Sequence, residues 1–473
     1  MAEGRQEALT SWYLGAFPAV RQELGLPFQG FGPSGAAALD RRRAEAEDWA
    51  REIGEGPLWR VARRAVRQAG DSGSASLAEA ILTALVQSEL REEDREAVWR
   101  AIPPALEGPV PAGQDPRAID QASRAAALAA GLLLAVGAKP EESEAGEPRA
   151  GAFMALEHYV RGLDAARGAA MPERPMGPHA LHDLMRDELG MYLVPKELAE
   201  AAVVRLEAEL LEAGRLAREI APGRDIAEIL EDMAEDRPES PQEIMAAYEE
   251  AQEQVRDAVG RDFPAADAPQ LAPGPAQLHG LLPLAAYVPG GKGGGRLLVF
   301  AGQGPMQAMH MRSRLPLTVA SAGVPGSHLL FSSLPPTDVL GRIMLSPYVA
   351  PGWSQYAAGY AAERIGRPKV RLLAALDAAQ RAARAFADVA LHAGLADERR
   401  ILDILGRPQG LPEEFRRAEL DAIWRQPLSG AGPFALAEAI AREVLGRVGS
   451  GESGAAAHAR ILARGGLPGE VEA

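Results

Sequence analysis

Cysteine is absent from this chain of 473 residues. Without thiols the protein has no disulfide, no thiolate nucleophile, no iron–sulfur cluster and no cysteine-ligated zinc. The redox compartment stays undetermined, because no thiol reports on it. Any metal or acid–base chemistry must therefore come from His, Asp, Glu, Tyr or Ser.

Aromatic residues are scarce, at 5% of the sequence, while the hydrophobic fraction is 47%. A hydrophobic fraction of that size excludes a disordered chain, and the core must consist mostly of Ala, Leu, Val and Ile. Because Ala and Leu are strong helix formers, the composition favours a mainly α fold.

Long hydrophobic runs and an excess of positive charge are also missing. The longest apolar run, Ala125 to Ala138, is shorter than the ~20 residues that span a bilayer, and Met1 to Glu7 is polar, unlike a signal peptide. The 50 Lys and Arg against 65 Asp and Glu give a net charge of −15, which disfavours nucleic acid and anionic membranes as partners. We therefore expect a cytoplasmic protein that binds neither.

The pattern along the chain predicts two helical lobes. Residues 1–138 form the first, and residues 139–150, with two prolines and four acids, predict an acidic linker or loop. Residues 151–473 form the second lobe, with a long helix at Pro195 to Ile220. One integrated domain is the alternative.

Residues 262–296 interrupt the helical pattern with many prolines and glycines. They predict irregular chain, followed by one short strand at Leu297 to Phe300. The glycines around Lys292 do not match a phosphate-binding loop, because neither Ser or Thr nor a helix follows the lysine. Long ordered loops are often functional, so we expect this one to border a cleft.

Arg384, Asp388 and His392 follow one another at four-residue spacing, which places them on one helix face. On an alanine-rich helix such a face is either a surface ladder of charges or one wall of a buried polar cleft. Asp388 can also be combined with Ser327 and His328 into a hydrolase triad, but the chain lacks the strand–turn–helix nucleophile motif that such enzymes need.

Six segments of the chain carry a resemblance. They are Phe17-Pro18 with Leu24-Gly25-Leu26; Ala286-Tyr287-Val288-Pro289 through Arg296; Val324-Pro325-Gly326-Ser327-His328-Leu329; Gly352-Trp353-Ser354-Gln355-Tyr356; Arg384, Asp388 and His392; and His458-Ala459-Arg460-Ile461-Leu462 to Gly466-Leu467-Pro468. Their order resembles the bacterial domain-of-unknown-function 885 family over nearly the whole chain. The resemblance implies a large helical, zincin-like (metallopeptidase-like) fold with one short strand region, a central cleft and a motif region at 262–358.

The positions that the resemblance makes metal ligands and general base do not hold the expected side chains. Ser321, Ala322, Ser327 and Pro351 stand there, and Ala358 replaces a later glutamate. Catalytic zinc needs about three N or O ligands, an open water position and a carboxylate base. We therefore expect no metal and no cofactor.

The residues that match the family predict a surviving cleft. We expect it to be lined by Arg296, His328, Trp353, Tyr356, Arg384, Asp388 and His392, with Tyr287 beside them. Arg296 or Arg384 is the expected partner for a ligand carboxylate, because the planar guanidinium matches a carboxylate in two hydrogen bonds.

Three hypotheses on function follow. The first is a non-catalytic relative of a zinc peptidase family that binds a peptide, a small acid or a protein partner, the last including a second copy or an active paralogue. The second is a metal-independent hydrolase or lyase that uses His328, Asp388, His392 and Tyr287 in the same cleft. The third is a relocated metal site at His310, His328 or His392.

Overall fold

The computed structural model describes most of the chain. The described residues are 2–17, 20–21, 24, 26–31, 36–53, 57–69, 73–91, 93–107, 116–138, 147–167, 175–279, 282, 284–290, 295–301, 309–335, 338–345, 347–408, 410 and 412–467. The chain is mainly helical, as its composition predicts, and it divides into two compact units, Met1–Arg174 and Pro175–Ala473.

The first unit consists of helices. In the described residues these are α1 (Ala2–Ala16), α2 (Ala36–Glu52), α3 (Pro57–Ala69), α4 (Gly73–Arg91), α5 (Arg95–Ala105), α6 (Pro116–Ala135) and α7 (Pro148–Arg167). Helix α6 packs against α4 and α7, with Ile81, Leu133 and Leu156 fully buried. Of the predicted linker, residues 139–146 lie outside the described part, and the helices on either side of it belong to the same compact unit.

The second unit holds the other described helices. They are α8 (Pro178–Leu189), α9 (Pro195–Ile220), α10 (Ile226–Glu235), α11 (Pro241–Val259), α12 (Leu315–Ala322), α13 (Ser327–Ser333), α14 (Val339–Leu345), α15 (Val349–Ile365), α16 (Pro368–Ala393), α17 (Glu398–Gly406), α18 (Glu413–Arg425), α19 (Ala431–Gly449) and α20 (Gly454–Ala463). The two longest, α9 and α16, pack along each other, and α15 packs against α12, α16 and α19.

Local sequence sets the ends of several of these helices. The Ser240 hydroxyl accepts the Glu243 N–H at 3.2 Å and Pro241 takes the first helical position of α11, as an N-cap serine predicts. Gly366 ends α15 in the left-handed region, at φ 70°, and Pro368 begins α16. Helix α9 has the bounds that its apolar spacing predicts.

A small sheet lies where the sequence predicts irregular chain. Its strands are β1 (Gln270–Pro273), β2 (Ala285–Pro289) and β3 (Gly295–Val299), with β3 in the centre, parallel to β1 and antiparallel to β2. The strand predicted at Leu297 is confirmed as β3. The prediction that residues 262–296 are entirely irregular is wrong, because the buried β3 pairs along both of its edges. Lys292 lies outside the described residues.

Among the described residues, none of the helices is both long enough and apolar enough to cross a bilayer.

Candidate functional site

The buried His328 of α13 and the partly buried Tyr287 of β2 form a pair. The His328 Nε2 lies 2.9 Å from the Asp267 carbonyl oxygen, and its Nδ1 lies 3.2 Å from the Tyr287 hydroxyl. A carbonyl only accepts, so Nε2–H donates to Asp267 and the tyrosine hydroxyl donates to Nδ1. Burial lowers the pKa of His328 and raises the pKa of Tyr287 to about 12. The imidazole is therefore neutral, and both of its nitrogens are used.

The same arrangement occurs twice more in this unit. His458 donates from Nδ1 to the Asp262 carbonyl at 2.6 Å and accepts the Tyr356 hydroxyl at Nε2 at 2.7 Å. His310 donates from Nε2 to the Phe300 carbonyl at 3.0 Å, and its Nδ1 lies 3.4 Å from the Tyr248 hydroxyl. Burial lowers the pKa of both histidines. Sequence reasoning missed these pairs, because the partners are far apart in the chain.

Neutral side chains occupy the positions where the resemblance places metal ligands and base. Ser321 and Ala322 are the last residues of α12, and Pro351 is exposed in the first turn of α15. The Ser327 and Ser354 hydroxyls bond to each other at 2.8 Å. A Cβ at Gly326 would meet the Ser321 carbonyl oxygen, so the two segments pack closely only with glycine there. These groups do not fit zinc, which needs His, Asp, Glu or Cys donors.

A relocated metal centre finds no support in the geometry either. His310, His328 and His392 each have a ring nitrogen bonded to a different backbone carbonyl, on Phe300, Asp267 and Ile423. Across the described ranges no group of three His, Asp or Glu side chains is arranged to hold a metal ion.

Asp388 and His392 are buried where α16 packs against residues 423–431, and they do not form a row of charges on the surface. Asp388 accepts the backbone N–H groups of Leu428, Gly430 and Ala431 at 3.1, 2.8 and 3.0 Å, and so caps the start of α19. His392 Nε2 lies 3.1 Å from the Ile423 carbonyl. Burial raises the pKa of Asp388, while His392 and the three N–H groups lower it. The carboxylate is thus held by the backbone that it caps.

Arg384 and Arg296 do not meet at a common site. Arg384 pairs with Glu419 of α18, and burial lowers the pKa of its guanidinium. Arg296 lies in β3, opposite Gln270 and Val288. Trp353 is fully buried and donates its indole N–H to the Pro325 carbonyl at 2.8 Å. The residues predicted to line one cleft are therefore distributed over several separate contacts between helices and strands.

A cavity of about 420 Å³ lies elsewhere in the unit, among α9, α15, α16 and α19. It is lined by Arg205, Glu209, Glu212, Gln355, Tyr356, Gly359, Tyr360, Glu363, Arg364, Arg371, Ala374, Ala375, Ala378, Arg381, Phe434, Ala437, Glu438 and Ala441. Of the residues predicted to line a cleft, Tyr356 alone belongs to this set. Four helices from three separate stretches of the chain contribute to it, which is why no single motif could reveal it.

The fold and this site define a mainly helical protein with a polar cavity and, among the residues that the structure describes, no recognisable zinc constellation. The chain belongs to the bacterial family of unknown function DUF885, whose family model matches residues 105–427. The family predicted from the sequence is thus confirmed.

Two solved structures resemble the chain over nearly its whole length. One is the "putative lipoprotein" from Colwellia psychrerythraea, with a TM-score of 0.67, 14% identity and coverage of 98% of this chain and 97% of the other. The other, a "putative lipoprotein of unknown function" from Shewanella oneidensis, has a TM-score of 0.67, 12% identity and the same coverage. At these identities the likeness shows the fold. Among curated proteins, none matches the sequence.

Proposed function

We propose that the chain is a non-catalytic member of its family, with a zincin-like fold, that binds a peptide, a small acid or a protein partner in a helical cleft of its second unit. The chemistry of the presumed ligand positions carries this proposal. Ser327 is bonded to Ser354, and His328 uses both ring nitrogens on Asp267 and Tyr287. Zinc catalysis would need a free ligand atom on these side chains and a carboxylate base beside them. Neither Ser327 nor His328 meets both requirements.

The cavity beside α15 supports the binding part of the proposal. Its volume of about 420 Å³ falls in the range of small-molecule sites, roughly 300–1,000 Å³. Gln355 and Tyr356 belong to Gly352-Trp353-Ser354-Gln355-Tyr356, one of the six segments that carry the family resemblance, so this segment contributes to the cavity wall. A cytoplasmic location, and pairing with a second copy or an active paralogue, remain predictions.

Metal content and peptidase activity test the non-catalytic assignment. Protein purified without chelator is examined by elemental mass spectrometry and assayed with casein and a mixed fluorogenic peptide library, with and without a chelator. We expect metal well below one equivalent and no chelator-sensitive hydrolysis. Stoichiometric zinc or manganese, together with hydrolysis that the chelator abolishes, would overturn the proposal.

A metal-independent hydrolase or lyase would need His328, Tyr287, Asp388 and His392 around one substrate. The geometry offers this alternative no support, since the two pairs bind different backbone segments and none of the four residues lines the cavity.

A further inference from the structure

The charges of the cavity wall are almost completely paired. Arg205 lies 2.8 Å from Glu209 and 3.6 Å from Glu438, and Arg371 lies 2.8 Å from Glu212 and 3.4 Å from Glu363. Each of the four glutamates that line the cavity thus has an arginine partner.

The third wall arginine, Arg364, is also engaged. It bonds to the Tyr360 hydroxyl at 2.8 Å and to Asp262 at 3.0 Å. The four glutamates of the cavity and these three arginines are therefore all engaged in ion pairs or hydrogen bonds.

Arg381 is the exception. Within the described part of the chain its guanidinium has no hydrogen bond and no ion pair, although it lines the cavity. The acid one turn earlier on α16, Asp377, is taken by Arg314 in two bonds of 3.0 and 3.1 Å. Burial lowers the pKa of Arg381, while Asp377 and Glu209 raise it. A guanidinium stays charged in proteins, so an unpaired one in a partly buried wall costs free energy until an anion arrives.

The rest of the wall indicates the body of the ligand. Phe434 and the alanines of α16 and α19 (Ala374, Ala375, Ala378, Ala437 and Ala441) supply an apolar surface. Gln355, on the facing helix, has no hydrogen bond to any other described residue, and its amide can both donate and accept. One free guanidinium among four glutamates suits a singly charged anion better than a phosphate dianion, which the glutamates would repel.

We infer that Arg381 binds the carboxylate of an organic acid with an apolar body, either a free small acid or the C-terminal residue of a peptide. The planar fork of Arg381 accepts the two carboxylate oxygens, Phe434 and the alanines contact the body, and Gln355 bonds to an amide of the ligand. This inference rests on the proposed binding function and assigns the chemistry that the cavity recognises.

Calorimetric titration with matched acids and amides tests it. The probes are N-acetyl-L-phenylalanine, N-acetyl-L-phenylalaninamide, and one pentapeptide ending in Phe with a free or amidated C-terminus. We expect an acid to bind and its amide to bind roughly tenfold to a hundredfold more weakly, because a charge-assisted pair is lost. Preference for the acetylated amino acid indicates a free acid as ligand, and preference for the peptide acid indicates a C-terminus.

Variants assign the effect to the residue. Arg381→Gln should remove the preference for acid over amide, Arg381→Lys should keep part of it, and Arg399→Gln, at an exposed arginine outside the cavity, should leave it unchanged. If Arg381→Gln does not fold, the lysine variant carries the comparison. Equal binding of acid and amide overturns the inference but leaves a binding cleft. The same conclusion follows if the Arg381→Gln variant keeps the preference for acid over amide. Failure of every acid to bind at millimolar concentration overturns the inference, whereas chelator-sensitive hydrolysis overturns the proposed function instead.

Discussion

Asp388 shows how one buried carboxylate can hold two helices together. It is fully buried on α16 and accepts three backbone N–H groups at the start of α19. The four-residue spacing to Arg384 and His392 predicts that these side chains share a face, and they do. The spacing could not predict that the face packs against backbone, because residues 423–431 lie more than thirty positions away in sequence.

Removing this carboxylate should destabilise the second unit. Asp388→Ala leaves three buried N–H groups without an acceptor, so we expect the free energy of unfolding to fall by roughly 3 kcal/mol. Asp388→Asn keeps one acceptor oxygen and should cost less. Urea unfolding followed by tryptophan fluorescence measures both variants. Asp403→Ala, an exposed acid on α17, is the control; a loss at Asp388 no larger than at Asp403 would contradict the capping role.

At the scale of elements, the turn between α15 and α16 depends on one glycine. Gly366 ends α15 at φ 70°, and a Cβ there would meet no atom closer than 4.0 Å. The cost of a side chain at this position is therefore conformational rather than steric. This turn matters because α15 and α16 both contribute residues to the cavity wall.

Gly366→Ala should lower the free energy of unfolding by about 1 kcal/mol, because alanine in the left-handed region is strained. Gly446→Ala, within α19 and with open space around its Cβ, should be neutral or stabilising by up to about 1 kcal/mol, since alanine is the better helix former. Thermal unfolding of the two variants gives the comparison. Equal effects of the same sign would show that the left-handed conformation of Gly366 is not what sets the cost.

The elements differ in how far sequence alone predicts them. Helix α9 was predictable to its ends, since Pro195 and the apolar spacing are local signals. Strands β1 and β2 were not, because they lie among prolines and glycines and exist through pairing with β3. The cavity was harder still: the sequence singled out Arg384, while Arg381, three residues earlier on the same helix, faces the cavity. Which side of α16 is buried depends on α9 and α19, and no local pattern encodes that.

At the scale of the whole molecule, three neutral His–Tyr pairs hold the described parts of residues 262–300 in the second unit. His458, His328 and His310 donate to carbonyls at positions 262, 267 and 300 along this segment. Each pair keeps its hydrogen bonds only while the histidine is unprotonated and the tyrosine is protonated. Stability should therefore fall at both acidic and alkaline pH, for separate reasons.

On the alkaline side the tyrosines set the limit. Burial raises the pKa of Tyr287 to about 12 and also raises the pKa values of Tyr248 and Tyr356. In the unfolded chain tyrosine ionises near pH 10. Their contribution to stability is thus complete below about pH 10 and is lost as pH rises above it.

On the acidic side the histidines should make unfolding easier below about pH 6.5, the unfolded value. Because burial lowers the pKa values of His310, His328 and His458, the unfolded state binds more protons there. Their contribution is complete above about pH 6.5 and decreases as pH falls below that value. Urea midpoints measured between about pH 6.5 and about pH 5.5 give the slope. Asp388 acts in the opposite sense, since burial raises its pKa, so the decisive quantity is a difference between variants.

His328→Gln supplies that difference. Its amide can donate to the Asp267 carbonyl and accept from Tyr287, as the imidazole does, but it does not titrate. We expect the variant to lose stability less steeply below about pH 6.5, because one of the groups that take up a proton on unfolding is gone, while Asp388 contributes equally to both proteins and cancels. His158→Gln, at an exposed histidine of the first unit, should leave the slope unchanged. A slope that His328→Gln does not alter would mean that this histidine binds protons equally in the folded and unfolded states, and the hydrogen bonds assigned to the His328–Tyr287 pair would then be wrong.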